Sequence, residues 1–279
     1  MFDKCYKFKK NIYNDGILNN GIDCTYILHL VNNGRVNNIK NQLIKYHPSN
    51  IVYIVFNKGY KKCFKGINNS ITDNLVSFIK IFEHAKSMNY NNILILEDDF
   101  VFSDKIKDKN HIKNINNFLI KHKNDKFTYA LGCIPLIQIP YNFNSSLVPL
   151  FGCIHSTIFS KKMYNELIDK YYNNKIKYQL DIHICFNNYR YNYMYNIPLC
   201  YQIFPNTECY KNWGKKIDGS ISLFNTIFYT ISKYVIKLLK LDKQYEPGFS
   251  ICYFLSKILF YLLILIFISC LYYIYLAKR

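Results

Sequence analysis

The chain of 279 residues is long enough for one large globular domain with appendages. Apolar residues make up 50% of it, which is ample for a core, and the formal net charge is +18. Because the lysines are spread over the whole chain, with no concentrated arginine patch and no helix-turn-helix or aromatic ribonucleoprotein motif, this charge does not predict nucleic-acid binding. Diffuse positive charge favours anionic substrates and anionic membrane surfaces.

The ten cysteines show no pattern of a redox or metal site. They form no C-x-x-C pair and no zinc spacing, and the chain is too long to depend on a disulfide framework. We therefore expect most of them to be buried thiols in a reducing compartment. Residues 1–10 are charged and have no apolar centre, so a cleaved signal peptide is not expected.

Strand-like and helix-like apolar patterns alternate over residues 24–216. The predicted strands are residues 26–30, 51–56, 93–96, 129–133 and 151–159. The predicted helices are residues 36–46, 72–85 and 161–172. Helices between successive strands imply right-handed crossovers, and this favours an α/β fold with a mainly parallel sheet.

Three acidic residues, Glu97, Asp98 and Asp99, directly follow the apolar run of residues 93–96. Adjacent carboxylates at the end of a buried strand repel each other and are costly unless a cation neutralises them. Mg²⁺ or Mn²⁺ bridging a diphosphate would do so, because hard cations prefer carboxylate oxygens. Ligands of α/β sheets bind beyond the carboxyl ends of the strands, where this triplet is expected. The alternative is a helix N-cap formed by Asp98 or Asp99.

Two apolar segments follow the predicted domain. Residues 221–241 place apolar side chains at helical spacing, interrupted by three lysines. They predict either a terminal helix packed on the domain or a helix lying in the headgroup region of a membrane. Residues 258–276 carry no charge, and as a helix they would span about 28 Å, close to the roughly 30 Å of a bilayer core. This second segment is predicted to be a transmembrane anchor.

The order of three blocks resembles glycosyltransferase family 25 and, more broadly, the GT-A fold of nucleotide-sugar transferases. Residues 26–35 are similar to the family's opening I-N-L strand and the arginine that follows it. Residues 93–100 resemble its L-I-L-E-D-D strand end. Residues 152–162, with Asp181 and Gln202 after them, resemble its G-T-H-A-Y motif, its later aspartate and its P…Q stretch.

The chain departs from the family in two places. Residues 70–74 stand where the family has a G-C-x-x-S-H stretch, and the third block lacks the threonine before His155. The resemblance implies a GT-A-like, Rossmann-like, mainly parallel sheet with flanking helices, followed by an amphipathic helix and a single transmembrane helix. The expected layout is an N-terminal extension (1–23), a catalytic domain (24–216), an amphipathic membrane-proximal helix (221–243) and a transmembrane anchor (250–276).

The resemblance also implies roles for individual residues. In GT-A enzymes an acidic D-x-D motif holds a divalent ion against the donor diphosphate. Glu97 and Asp99 take its outer positions, with Asp99 as the direct ligand of Mn²⁺ or Mg²⁺ and Glu97 as a further ligand that orients the ribose or a metal-bound water. Asp98 and Arg35 are the other expected nucleotide contacts, although Arg35 could equally be a solvated turn residue. Asp181 is the expected base that takes the proton from the acceptor hydroxyl in an inverting transfer.

Further side chains are candidates of lower rank. His155 or His183 would complete the metal shell or contact phosphate, and the alternative for each is a hydrogen-bonded structural role. Asp73 and Glu208 are the second choices for the base. Trp213 would stack on a sugar ring, although core packing is the default for aromatic residues in this chain.

The predicted function is a membrane-anchored glycosyltransferase that moves a sugar from a nucleotide sugar, UDP-sugar first, to a hydroxyl of a glycan, protein or lipid. The alternatives are a nucleotidyl- or phosphotransferase that uses the same metal and diphosphate, and a catalytically inactive membrane-tethered binding module. We further expect a tail-anchored protein with a cytosolic catalytic domain. More lysines precede the anchor than follow it, and the cysteines fit a reducing compartment.

Overall fold

A nine-stranded sheet forms the centre of the computed structural model, which describes residues 3–63, 67, 69–202, 204, 216, 220 and 223–277. The strands in chain order are β1 (Tyr6–Ile12), β2 (Cys24–Leu30), β3 (Ile51–Asn57), β4 (Asn92–Glu97), β5 (Phe100–Phe102), β6 (Thr128–Pro135), β7 (Ile139–Pro140), β8 (Ser145–Leu147), β9 (Phe151–Ser160), β10 (Asn192–Tyr195) and β11 (Cys200–Gln202). The large sheet has the order β1-β3-β2-β4-β9-β6-β10-β8-β7, and β5 pairs with β11 in a separate two-stranded sheet.

The large sheet is mixed, whereas the sequence predicts a mainly parallel one. Strands β3, β2 and β4 run parallel, as do β6 and β10, but β9 lies antiparallel between β4 and β6. The chain passes from β6 to β9 through the short strands β7 and β8, and an antiparallel neighbour needs no helical crossover. The apolar pattern of a central strand is the same in either direction, so the sequence pattern does not reveal this reversal.

Helices cover both faces of the sheet. They are α1 (Val36–Lys45), α2 (Ser70–Ser87), α3 (Lys109–Lys121), α4 (Lys161–Tyr172), α5 (Leu180–Asn187), α6 (Leu223–Leu238) and α7 (Gly248–Ala277). Ile93 and Ile95 of β4 belong to the core beneath α2 and α4, while Leu94 and Leu96 belong to the core beneath α1 and α3. The uninterrupted apolar run of β4 follows from this burial on both faces. The protein is therefore a mixed α/β fold.

The amino-terminal segment belongs to this sheet. Residues 6–12 form β1, which pairs antiparallel with β3 along its whole length. Residues 6–12 of the predicted N-terminal extension (1–23) are thus part of the central sheet. A disulfide joins Cys5, just before β1, to Cys63. Disulfides persist in oxidising compartments, so the cysteine argument for a cytosolic domain fails at this pair.

Reduction of the Cys5–Cys63 disulfide is expected to lower the stability of the domain. The cysteines are 58 residues apart, and opening a loop of that length costs about 4 kcal/mol in the chain-entropy account. For a domain of this size such a loss lowers the melting temperature by about 10 °C. Differential scanning calorimetry with and without dithiothreitol measures the shift. A Cys5→Ser/Cys63→Ser variant should no longer respond to reductant, and an equal melting temperature for the oxidised and reduced wild-type protein would contradict the expectation.

Helix α7 begins in the domain core and ends outside it. Phe249, Tyr253 and Ser256 are buried in its first turns. The amide of Gln138 donates to the Tyr253 carbonyl at 2.9 Å and to the Ser256 hydroxyl at 2.7 Å, which ties these turns to the sheet. From residue 258 to residue 277 the side chains are apolar and mostly exposed. Among the described residues α7 is the one helix whose length and composition would allow it to cross a membrane.

Candidate active site at the carboxyl end of strand β4

The acidic triplet lies in a cavity at the carboxyl edge of the parallel strands. Glu97 is the last residue of β4, and Asp98 and Asp99 form the turn into β5. The cavity has a volume of about 710 Å³, and its wall also includes Asp181 from the start of α5 and Asp73 from α2. Residues that are far apart in the sequence therefore meet where the sheet pattern predicts a ligand.

Asp98 is the structural anchor of this turn. One of its carboxylate oxygens accepts hydrogen bonds from His29 Nδ1 at 3.0 Å, from the Leu30 backbone N–H at 3.0 Å and from Asn33 Nδ2 at 2.5 Å. The other accepts from Arg35 at 2.7 Å. Burial opposes ionisation, but the His29 and Arg35 contacts outweigh it and lower the pKa of Asp98. A carboxylate with this many donors fixes the turn. Asp98 also lines the cavity, and its role as a cofactor contact stays a prediction.

Arg35 is part of the same network. Its guanidinium lies 2.7 Å from Asp98 and 3.0 Å from Asp99. The side chain is 23% exposed and lines the cavity. The open alternative of a solvated turn arginine therefore does not hold. The ion pairs position Arg35 beside the acidic turn, on the wall of the cavity.

Glu97 and Asp99 form a pair of carboxylates joined by one amide. Gln202 Nε2, on β11, donates to Asp99 at 3.0 Å and lies 3.4 Å from Glu97. Asn74 Nδ2, on α2, donates to the other oxygen of Glu97 at 3.2 Å. Burial first, and then the charge of Asp99, raise the pKa of Glu97. Burial also raises the pKa of Asp99, against the opposing effect of Arg35.

The oxygen atoms around Glu97 and Asp99 are of the kind that bind a hard divalent cation. Gln202 Oε1 and Asn74 Oδ1 are buried and have no hydrogen-bond partner within the described part of the chain. Two carboxylates that repel each other and two unsatisfied amide oxygens are an all-oxygen set, which suits Mg²⁺ or Mn²⁺. Residues 3–63, 69–202 and 223–277 contain no group of three His, Cys, Asp or Glu side chains placed to hold a metal by themselves. The remaining ligands of a cation here would be oxygens of the substrate or water.

Asp181, at the start of α5, lines the same cavity from a different element. Its carboxylate accepts from the Ile182 backbone N–H at 2.8 Å, and the Cys153 backbone N–H and the Tyr229 hydroxyl also contact it. Burial raises the pKa of Asp181 despite these hydrogen bonds. Cys153 has a φ of 71°, in the left-handed region that non-glycine residues rarely adopt, and such backbone is common at functional sites.

The two predicted metal-binding histidines do not line this cavity. His155 is fully buried, and its Nε2 lies 3.4 Å from the Cys200 carbonyl. His183 is buried with its Nδ1 3.2 Å from Asn187. Burial lowers the pKa of each imidazole to about 4. On α5, two residues correspond to a rotation of about 200°, so His183 faces away when Asp181 faces the cavity. The structural role that was the alternative for both histidines fits these positions.

Several cavity residues were not predicted from the sequence. A basic rim of Lys58, Lys61 and Lys62 follows the carboxyl end of β3. These lysines could have been recognised by their position directly after a predicted parallel strand. Lysine is so common in this chain that this position did not distinguish them. Asn74 lies in residues 70–74, where the chain departs from the family motif, so the resemblance did not point to it. The predicted candidates Glu208 and Trp213 lie outside the described residues.

Gly132 sets the position of Gln202. A Cβ at this glycine of β6 would lie 1.8 Å from the Cys200 carbonyl oxygen, so β11 can approach only a residue without a side chain. Gly132→Ala is expected to push β11 away and to lower the free energy of unfolding by about 3 kcal/mol, the upper end for overpacking. Chemical denaturation measures the loss. Gly152→Ala is the matched control, because nothing lies within 4 Å of its Cβ position. Equal destabilisation by the two substitutions would contradict the close approach.

Two distant structural neighbours are among the solved structures that are similar to this chain. No family model matches the chain, and no curated protein sequence matches it. One similar solved structure is A197 from STIV, with a TM-score of 0.39 and 10% identity over 71% of this chain and 92% of that chain. Another is a glycosyltransferase involved in the glycosylation of the major capsid of PBCV-1, with a TM-score of 0.36 and 10% identity over 59% of this chain and 74% of that chain.

Proposed function

We propose that the protein is a metal-assisted glycosyltransferase of the GT-A type that binds a nucleotide sugar at the acidic triplet. The observation that carries this proposal is the pairing of Glu97 with Asp99 at the end of β4, beside the unsatisfied oxygens of Gln202 and Asn74. The cavity is large enough for a nucleotide sugar, since ligand pockets commonly measure about 300–1,000 Å³. The family 25 pattern adds support through Gln202, which the resemblance singled out and which contacts both carboxylates.

In this proposal the chain's own residues bind and orient the donor. Glu97, Asp99 and the two amide oxygens would hold Mn²⁺ or Mg²⁺, which neutralises charge on the departing nucleoside diphosphate. Lys58, Lys61 and Lys62 add positive charge along the side of the cavity where phosphates would lie. Asp98 keeps the turn rigid, and Arg35 connects it to Asp99. Preorganised charges of this kind need not rearrange during the reaction.

Asp181 is the residue proposed to act on the acceptor. A carboxylate with a raised pKa is a stronger base than a free aspartate once ionised, so it takes a proton from an acceptor hydroxyl more readily. It comes from α5, whereas the proposed donor-binding carboxylates lie at the end of β4 and in the turn after it, so the base and the donor site belong to different elements of one cavity. The proposed reaction forms a bond from the acceptor oxygen to the sugar and breaks the bond from the sugar to the diphosphate.

Nucleotide-sugar binding is tested by a thermal-shift panel. The full chain would be heated with UDP-, GDP- and CMP-sugars, each with and without Mn²⁺. A ligand at 100 times its dissociation constant adds about 2.7 kcal/mol of stability, which raises the melting temperature by about 5–10 °C for a domain of this size. A shift with one nucleotide class that requires Mn²⁺ supports the proposal. No shift with any member of the panel would reject it.

The proposal includes anchoring by α7 and places the catalytic domain on the cytosolic side. Its support is the group of lysines just before α7, which includes exposed Lys240 and Lys243. The Cys5–Cys63 disulfide opposes this orientation. Protease added to sealed microsomes decides between the two sides, since a cytosolic domain is digested without detergent and a lumenal one is protected.

A further inference from the structure

Helix α6 has an exposed apolar face. Among the side chains of α6 that the structure describes, the exposed large apolar ones, with 51–77% of their surface accessible, are Leu223, Ile227, Ile231, Tyr234 and Leu238. At 3.6 residues per turn these positions fall within an arc of about 80° of the helix circumference. We call them the α6 stripe. They are too regular in spacing to be scattered surface residues, and a contiguous apolar patch marks an interaction surface.

The opposite face of α6 packs behind the candidate active site. Tyr229 and Ile236 are buried at 4% and 2% exposure. The Tyr229 hydroxyl donates to the side-chain oxygen of Gln179 and contacts the carboxylate of Asp181, and both of these residues line the cavity. A single helix therefore separates the α6 stripe from the proposed base.

Continuity with α7 identifies what covers the α6 stripe. Nine residues connect the last residue of α6 to the first residue of α7, and Leu241 in this connection packs against Gly248. The exposed apolar faces of α6 and α7 stand on either side of this connection, in which Lys240, Asp242 and Lys243 are exposed. Lys237 and Lys240 are exposed at the end of the stripe nearest α7. Apolar side chains beside lysines are the composition of a helix that lies in the headgroup region of an anionic membrane.

We propose that α6 lies along the membrane surface with its stripe among the lipids, and that it thereby presents Asp181 to an acceptor hydroxyl carried on a membrane lipid. The acceptor half of this statement rests on the proposed function, whereas the position of α6 does not. The diameter of a helix with its side chains is about 10–12 Å. Asp181 is therefore about one helix diameter from the lipid surface, a distance that the polar headgroup of a glycolipid can bridge.

Fluorescence quenching tests the position of α6 without any assay of activity. The full chain would be reconstituted in nanodiscs of phosphatidylcholine and phosphatidylserine with brominated acyl chains. Ile231→Trp places a reporter in the stripe, and Ile120→Trp places one at a similarly exposed position of α3 (59% and 58% exposed). We expect the lipids to quench the fluorescence that the Trp at 231 adds to the parent chain and to leave that of the Trp at 120 unchanged. Equal quenching of the two reporters would overturn the proposal.

The acceptor class is tested by following a labelled sugar. Proteoliposomes made from a cellular lipid extract and supplied with soluble cytosol would receive radiolabelled nucleotide sugar, and the label would be counted in organic-phase, protein and water-soluble fractions. We expect label in the organic phase, and a loss of about 100-fold with Ile227→Glu/Ile231→Glu, because each of the two inserted apolar side chains is worth about one factor of ten. The control is Ile44→Glu/Ile120→Glu, at exposed sites on α1 and α3.

The outcomes distinguish failure of the lipid-acceptor proposal from failure of the proposed glycosyltransferase function. Label that accumulates only in protein or water-soluble glycan, or organic-phase label that the stripe variant leaves unchanged, would overturn the lipid acceptor. Absence of label from every fraction, together with no Mn²⁺-dependent thermal shift, would reject the glycosyltransferase function. In that case the quenching experiment still decides whether α6 lies on the membrane.

Discussion

Asp99→Asn is expected to abolish the Mn²⁺-dependent thermal shift by a nucleotide sugar while the fold is kept. The substitution removes one of two carboxylates that would hold the cation, so the shift of about 5–10 °C should vanish. Without metal, the variant should be at least as stable as the wild-type protein. Burial raises the pKa of Asp99, and the charge of Asp99 raises the pKa of Glu97, so neutralising Asp99 relieves a repulsion.

Asp104→Asn is the matched control for this substitution. Asp104 pairs with Lys45 at 2.9 Å and its side chain is 74% exposed, away from the cavity. The control should show the full Mn²⁺-dependent shift. A folded Asp99→Asn protein with unchanged affinity for metal and nucleotide sugar would remove the metal site from the acidic turn.

Asp181→Asn is expected to slow sugar transfer about 100-fold or more and to leave donor binding nearly unchanged. General-base catalysis by one positioned group contributes a factor of this size, and an amide cannot accept the proton. The amide oxygen can still accept the hydrogen bond that the Ile182 backbone N–H donates to Asp181 Oδ1 at 2.8 Å, so the wall of the cavity should keep its shape. The measurement compares the turnover number with the dissociation constant of the donor.

Asp73→Asn is the control that distinguishes the proposed base, Asp181, from another carboxylate that is only buried in the same cavity. Asp73 also lines the cavity, but it accepts hydrogen bonds from Asn57 Nδ2 at 3.1 Å and from the Tyr60 backbone N–H at 3.2 Å, which gives it a structural role. Its substitution should lower stability more than it lowers the turnover number at saturating donor. Near-normal turnover in Asp181→Asn would move the proton transfer to another residue.

The local elements of the fold follow from the sequence because burial fixes their apolar spacing. Residues 93–96 are apolar without interruption because β4 is covered on both faces. Leu75, Phe78 and Phe82 recur at helical spacing because one side of α2 packs on the sheet. Strands of this kind bring Glu97 and Asp99 to the sheet edge, so the position of the acidic turn was predictable.

Long-range pairing is not encoded in such local patterns. The direction of β9 depends on which strands it pairs with. The sequence of β1 mixes polar and apolar residues, as is usual for an edge strand, and such a pattern does not distinguish a strand from a surface extension. Of three adjacent acidic residues, Asp98 alone contacts His29, whereas Arg35 contacts both Asp98 and Asp99. Side-chain direction in a turn follows from the backbone around it, and that depends on partners distant in sequence.

Release of nucleoside diphosphate from a nucleotide sugar tests the proposed glycosyltransferase activity most directly. The full chain in lipid nanodiscs would be incubated with Mn²⁺ and each nucleotide sugar in turn, and separately with nucleoside triphosphates. We expect one class of nucleotide sugar to release nucleoside diphosphate. This release should require Mn²⁺ and should be lost in Asp99→Asn, and nucleoside triphosphates should release no pyrophosphate. Pyrophosphate release, or no turnover of any nucleotide sugar, would contradict the proposed activity and would favour a nucleotidyltransferase or an inactive membrane-tethered module.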